Sequence, residues 1–328
     1  MKAAVITKFG GPEVLEILDR PTPIAKPHEI LVRVRASALN RADLHQREGN
    51  YPAPPGAPAD IPGLEFAGEV AGVGTEVKDW REGDRVFGIV AGGGNAEFLV
   101  TDAQSVARVP NNLDSAHAAA IPEAFITAHD AMIVQAQLQA DENVLIHAVG
   151  SGVGLAAVQL ARAWKATPFG TARSAEKIER AKAFGLENGA VVADNPESIL
   201  PDIEQWTSGE GINVTIDLLG GAYTGASLRA LAPRGRIMCL ATVAGRSITL
   251  PLGALLGKRA TVKGTVLRAR PLEEKRSVTA AFARDVVPLL ASGQVRPTVD
   301  CVFELSQIRE AHERLASNQT FGKVVLRV

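Results

Sequence analysis

Cysteine is almost missing from this chain: 328 residues include two, Cys239 and Cys301. Each stands at the edge of an apolar, strand-like run, and no paired spacing offers a disulfide framework or a metal knuckle, so a reducing cytoplasm is the expected setting. Excess charge is missing too. With 35 Lys and Arg against 36 Asp and Glu the net charge is −1, which excludes the electrostatic footprint of a nucleic-acid-binding protein. No uninterrupted apolar stretch is long enough to cross a bilayer, so no membrane partner is expected. The N-terminus, MKAAVITKFGGPEVLEI, alternates like a strand and has no signal-peptide apolar core. Tyrosine is scarce: Tyr51 and Tyr223 are the only phenols. No internal repeat or low-complexity tract appears. What is present, 46% apolar residues over a length too great for one core, describes an ordinary globular protein of two domains.

The most informative segment is VLIHAVGSGVGLAAVQLA, Val144 to Ala161. Val144, Leu145 and Ile146 suit a buried parallel strand, and Gly150, Gly152 and Gly154 let the backbone turn tightly beside a pyrophosphate, with Ser151 and Val153 in the same turn. From Leu155 the chain reads as helix, whose N-terminal N–H groups and dipole favour an anion. The next strand, TPFGT, would end in Asp or Glu if it had to accept the hydroxyls of an NAD ribose. It is followed instead by TARSAEK. Arg173 offers a planar fork to a 2′-phosphate and Lys177 a second cation from the same helix face, so the cofactor expected is NADPH. The alternative is a solvated helix start in which Glu176 neutralises Lys177.

Along the chain, the first third holds short β runs bounded by Gly or Pro: Ile30 to Ala36, Glu65 to Val73, Arg85 to Val90 and Glu97 to Val100. The segment Tyr51 to Asp60, YPAPPGAPAD, reads as a proline-stiffened loop. From Ala119 helix and strand alternate. Helices are expected at Glu123 to Ala136, Leu155 to Lys165, Ala175 to Phe184, Glu197 to Thr207 and Ala222 to Leu231. Strands are expected at Val144 to His147, TPFGT, Ala190 to Ala193, Val214 to Leu218, Arg236 to Leu240 and Thr261 to Gly264. Single helices between strands imply a doubly wound parallel sheet. The end reverts: one long amphipathic helix with Val278, Phe282, Val286, Leu289 and Leu290 on a stripe stops at Ser292-Gly293, and strand CVFEL, helix Gln307 to Ser317 and strand KVVLRV follow. This tail is expected to complete the first domain, which gives a catalytic domain from 1–120 and 266–328 and an inserted nucleotide domain at 121–265.

The segments SALNRADLHQREGNYPAPPG, PGLEFAGEVAGVGTEVKDWREGDRV, IPEAFITAHDAM, VLIHAVGSGVGLAAVQLAR and FGKVVL resemble the quinone oxidoreductase branch of the medium-chain dehydrogenase/reductase superfamily. The likeness spans essentially the whole chain and is greatest to the zeta-crystallin-like, tumour-suppressor-inducible NADPH quinone oxidoreductases. It implies an α/β protein: a GroES-like, mostly β domain, an inserted Rossmann domain with a doubly wound parallel sheet, and a cleft between them. It also implies a homodimer joined through the Rossmann edge strands, at Thr261 to Thr265 here. Zinc-bearing members carry Cys and His where this chain has Asn40 and Leu64, and the four-cysteine lobe is missing, so no metal is expected. Glu123 falls near a third ligand position but lacks a soft or imidazole partner. His45, His129 and His147 stand singly, as ordinary hydrogen-bonded histidines do.

Without a Lewis acid the substrate must accept hydride unaided, as quinones and conjugated enones do. The resemblance implies Tyr51, in the loop it places over the nicotinamide, as the phenolic donor, with water as the alternative; Tyr223 is expected to be half-buried and structural. Asn40 is expected to donate from its amide to the substrate oxygen and to lie by the cofactor, with Asp43 beside it, where Arg41 and Asp43 form a charge pair that fixes the loop. Thr127 matches a position beside the nicotinamide. Leu240, Ala241 and Thr242, and Val266, Leu267 and Arg268, match main-chain contacts to the nicotinamide half. Lys323 and Asn318 complete the expected cofactor contacts. Many relatives carry a Tyr near Ala193 and Asp194 that packs on the 2′-phosphate; none is here, which leaves that phosphate to Arg173 and Lys177. The implied activity is an NADPH-dependent reductase of quinones or enones, with enoyl-thioester reduction and a non-catalytic NADPH-binding or structural role as the alternatives.

Overall fold

The structure, a computed structural model, describes residues 1–192 and 194–328. The chain divides into two compact units, Met1–Ile126 with Leu267–Val328, and Thr127–Val266. Among the described residues no helix is long and apolar enough to cross a membrane.

The first unit is built on a seven-stranded sheet. Its path runs Val299–Glu304, Lys323–Arg327, Glu29–Leu39, Glu65–Val73, Arg85–Ile89 and Val106–Arg108, and Phe98–Asp102 pairs with the first half of Glu29–Leu39. The pairings are antiparallel except for the last two strands of the chain, which run parallel to each other. Ile30, Val32 and Val34 alternate inward against Phe66, Val70, Val86 and Leu99, the period-two burial that a half-covered sheet demands. The N-terminus departs from the alternation read in its sequence. Ala3, Ala4, Val5 and Ile6 are all buried, because Lys2–Ile6 pairs with Leu15–Asp19 on one side and Ala3 bridges to Ala96 on the other.

The second unit carries six parallel strands in the order Asn188–Val191, Thr167–Ala172, Asn143–Ile146, Ile212–Asp217, Leu231–Cys239, Thr261–Gly264. In chain order this is 3-2-1-4-5-6, the doubly wound arrangement that makes a ligand site where the order reverses, beside the first strand. Val144, Leu145 and Ile146 are fully buried, as strands covered on both faces must be.

Three sequence expectations change. The helix after the glycine turn is Gly152–Ala163, so it begins before Leu155, because Ser151 caps it by accepting the N–H of Gly154. The long C-terminal helix is two, Leu272–Asp285 and Val287–Ser292; Pro288 has no N–H for the preceding turn, and the chain breaks at Val286. The third strand is Asn188–Val191, set by pairing with Phe169–Ala172; the Ala193 part of that expectation lies outside the described residues. Helices Arg41–Arg47, Ser115–Ala119 and Leu252–Lys258 are additional to the sequence reading.

Candidate active site

In the first unit, strand Glu29–Leu39 ends at Asn40, which starts helix Arg41–Arg47. Asp43 is fully buried and holds this start in place: Oδ2 accepts the Asn40 N–H at 2.7 Å and Oδ1 the Gly63 N–H at 3.0 Å. Asp43 therefore fixes the segment through main-chain donors, while the Arg41 guanidinium reaches Asn318 Oδ1 at 2.5 Å; this replaces the charge pair read from NRAD. Burial pushes the Asp43 carboxyl up to about 6, against the lowering effect of its two N–H partners.

Lys323, in the last strand, is the centre of a polar knot. Its Nζ donates to Leu39 O at 2.9 Å and Asn40 Oδ1 at 2.5 Å, and lies 2.6 Å from Glu65 Oε1. An ammonium has three N–H bonds, and three acceptors surround this one. All three N–H bonds of Lys323 thus have an acceptor within the first unit. Asn40 is similarly committed: Oδ1 receives Lys323 and Nδ2 donates to Glu65 Oε1 at 2.8 Å and Ala38 O at 3.3 Å. Both amide hydrogens are accepted inside the knot, which positions the Asn40 side chain. Glu65 Oε2 accepts the Glu123 N–H at 2.8 Å. Glu65 and Lys323 are 0% and 5% exposed.

Beside the knot, Arg268 is buried and spreads its guanidinium over three acceptors. Nε donates to Ala91 O at 2.8 Å, Nη2 to Gln46 Oε1 at 2.6 Å and Nη1 to Tyr51 O at 3.3 Å, and its carbon lies 4.9 Å from the centre of the Tyr51 ring. The Arg268 side chain thereby anchors the Tyr51 loop. Tyr51 is half-buried, and burial raises its phenol above the usual value, with Arg268 opposing and Glu123 adding. Burial also pushes the Glu123 carboxyl up to about 8, reinforced by Glu65 and Asp43 and opposed by Lys323 and Arg268. Glu65 and Gln46 escaped the sequence analysis. The available signal was a charged residue opening the apolar run Glu65–Val73.

In the second unit, strand Asn143–Ile146 leads through Ala148, at φ 54, into Gly150 and Ser151. A Cβ on Gly154 would stand 2.6 Å from Ala148 O, so helix Gly152–Ala163 packs on its strand only with glycine there. A Cβ on Gly150 would meet the Lys177 stem at 3.0 Å, which places that stem across the turn. The N–H groups of Gly152 and Val153 precede any intrahelical acceptor. Arg173 follows strand Thr167–Ala172 and is exposed; Glu176 pairs with Arg180. Tyr223 is nearly buried: its hydroxyl donates to Val192 O at 3.3 Å, and burial raises it while Arg173 lowers it. His147 lies between Thr171 Oγ1 and Ser227 Oγ, each at 2.9 Å, and burial holds it neutral by lowering it to about 4. Leu240 donates its N–H to Asp217 O at the end of strand Leu231–Cys239; Ala241 and Thr242 follow. Thr127 carries a buried Oγ1 with no partner among the described residues. Val266 is 53% exposed and Leu267 buried.

Residues 26–111 match the alcohol dehydrogenase GroES-like domain, and residues 190–326 match the zinc-binding dehydrogenase model. A quinone oxidoreductase of Lama guanicoe is 34% identical over 99% of this chain and 97% of its own, and one of Pseudomonas aeruginosa 32% identical over 97% of each. The chain belongs to the quinone oxidoreductase family of the medium-chain dehydrogenase/reductases. It is an oxidoreductase. Among solved structures, the Escherichia coli quinone oxidoreductase complexed with NADPH superimposes with a TM-score of 0.87 at 28% identity over the full length of both chains. The donors here do not suit the zinc in the second model's name. Among the described residues no three His, Cys, Asp or Glu side chains could hold a metal together, and the Lys323 ammonium already occupies Asn40 and Glu65.

Breaking a buried pair leaves an uncompensated charge, at about 3–5 kcal/mol. Lys323→Met is expected to lower the unfolding free energy from urea titration by that order, and adding Glu65→Gln to recover part of the loss; equal unfolding free energies for wild type and Lys323→Met would show that the knot holds nothing together.

Proposed function

We propose that the protein is an NADPH-dependent reductase of quinones or activated alkenes. The observation that carries this reading is the replacement of the ribose-binding acid by Arg173, with Lys177 lying across the glycine turn. The cofactor fits the second unit on three counts: the glycine cradle closed to any Cβ at Gly154, the N–H groups of Gly152 and Val153 at the helix start, and the Thr127 hydroxyl, a buried polar atom without a partner among the described residues and of the kind that a ligand completes. In this reading Gly150, Ser151, Gly152, Val153 and Gly154 receive the pyrophosphate. Arg173 and Lys177 clasp the 2′-phosphate, and Thr127 meets the nicotinamide together with the main chain of Leu240, Ala241, Thr242, Val266 and Leu267. NADPH, when bound, supplies hydride. The Tyr51 phenol, held by Arg268, offers a hydrogen bond to the acceptor oxygen, while Asn40 and Asp43 keep its loop in register. Quinones and enones suit such a site because they spread the charge that hydride adds onto that oxygen. Two free cysteines accord with a reducing cytoplasm.

Self-association is part of the proposal. Strand Thr261–Gly264 is an uncovered sheet edge, and neighbouring helix Leu252–Lys258 buries none of its residues, with Leu252 67% and Leu256 75% exposed. An apolar patch beside an open edge is the geometry of strand-to-strand pairing between copies. Sedimentation at micromolar concentration is expected to give twice the chain mass; a monomer would refute the homodimer.

An anaerobic panel of quinones, enones and enoyl thioesters, each with NADPH and NADH, tests reaction class and cofactor together. NADPH oxidation with quinones or enones is expected; turnover of thioesters alone, or binding without turnover, would replace the reading. Charge-assisted bonds of about 1.5–3 kcal/mol make Arg173→Ala raise the NADPH Kd roughly 10- to 100-fold with little change for NADH, and equal changes would remove the phosphate role. Tyr51→Phe is expected to lower kcat about tenfold at unchanged NADPH affinity; an undiminished kcat would exclude the phenol from the chemistry.

A further inference from the structure

Three carboxyl groups gather in the first unit, and their hydrogen bonding sets one apart. Both oxygens of Asp43 accept main-chain N–H groups, and both oxygens of Glu65 are taken by Asn40, Lys323 and the Glu123 N–H. The Glu123 carboxyl has no hydrogen-bond partner among the described residues, and its side chain is only partly buried at the margin of the knot. It is anchored through its backbone and left open at its acid group. The groups around it are Glu65 from strand Glu65–Val73, Asp43 from helix Arg41–Arg47, Lys323 from the last strand, and Arg268 with Tyr51.

We propose that Glu123 is the proton donor of this site, giving its carboxyl proton to the oxygen of the reduced acceptor. The proposal rests on the reductase reading above. Addition of hydride to a quinone or enone leaves an oxyanion or enolate. The Glu123 O–H bond then breaks, an O–H bond forms on the acceptor, and the carboxylate regains a proton from water through its open side. The electron pair is the one that hydride brings, so nothing further is oxidised. Two features of the cluster favour Glu123 over the neighbouring phenol. A carboxyl raised to about 8 is largely protonated at neutral pH yet gives up its proton more readily than Tyr51, whose phenol lies above its usual 10. Its departure also costs the fold no hydrogen bond. Tyr51 then orients the acceptor oxygen and Glu123 protonates it.

The test is Glu123→Gln, which preserves size and the N–H bond to Glu65. With NADPH and the best quinone of the panel, kcat is expected to fall about 100-fold while the Kd for NADPH stays unchanged. In the wild type kcat should decline as pH rises through about 8, where the donor is lost, and this limb should vanish in Glu123→Gln. A readout free of turnover is infrared difference spectroscopy of the protein alone between pH 6 and 10, in roughly one-unit steps: a protonated-carboxyl band should titrate near 8 in the wild type and be missing from the variant. Full activity of Glu123→Gln, or no such band at neutral pH, overturns the proposal and leaves the reductase reading intact. A wild type that shows the band but oxidises no NADPH with any acceptor overturns both.

Discussion

The first unit depends on one buried ammonium. Taking Lys323 out of water costs several kcal/mol, and the structure repays it with a carbonyl, an amide oxygen and a carboxylate, one for each N–H. Those acceptors are far apart in the chain: Lys323 and Asn40 are separated by 283 residues. The pairing of the last strand with Glu29–Leu39, which sets Val324 opposite Leu39, brings them together. The ammonium is held by the sheet, and it in turn orients Asn40 so that its amide hydrogens point at Glu65 and Ala38. Glu65 then secures the first N–H of the helical run that starts at Pro122. A single point charge thereby ties the strand end, the Asp43-capped helix and the Glu123 turn into one arrangement.

The second unit works differently. Its expected ligand contacts are mostly backbone, made available by glycines and by a helix start, and the ionisable groups beneath them are occupied. His147 is neutral between two hydroxyls, and Asp217 accepts the N–H groups of Leu219 and Gly220 and the Thr224 hydroxyl. A binding surface of N–H dipoles keeps its polarity at any pH at which the fold survives. The side-chain cluster of the first unit contains carboxyls displaced to about 6 and about 8. In the proposed reading, cofactor binding falls mostly to backbone groups that do not titrate and proton handling to carboxyls that do.

The second unit was largely legible because its signals are local. Strand, glycine turn and helix follow one another within twenty residues. The knot was not, because Glu65 gains its meaning only from Lys323, and no sequence pattern couples a strand-opening Glu to a Lys near the other end of the chain. Resemblance points at Lys323, Asn40 and Arg268, but the acceptors that their side chains meet inside the first unit, Leu39 O, Glu65, Ala91 O and Gln46 among them, come from segments far apart in the chain. The break in the C-terminal helix has a simpler cause: its apolar stripe continues through the buried Val286 and Leu290, and a stripe cannot report the missing N–H of Pro288.

Charge balance links the knot to the proposed chemistry. Two cations, Lys323 and Arg268, face three carboxyls, and a secluded site of low effective dielectric disfavours a net charge. Of the two carboxyls that burial displaces, Asp43 lies at about 6 and Glu123 at about 8, so Glu123 is the one that keeps its proton at neutral pH. An acceptor that has gained hydride brings one more negative charge to such a site. The smallest correction available is to transfer the one proton that burial has retained, and the carboxyl holding it is the one whose oxygens the fold has left without partners.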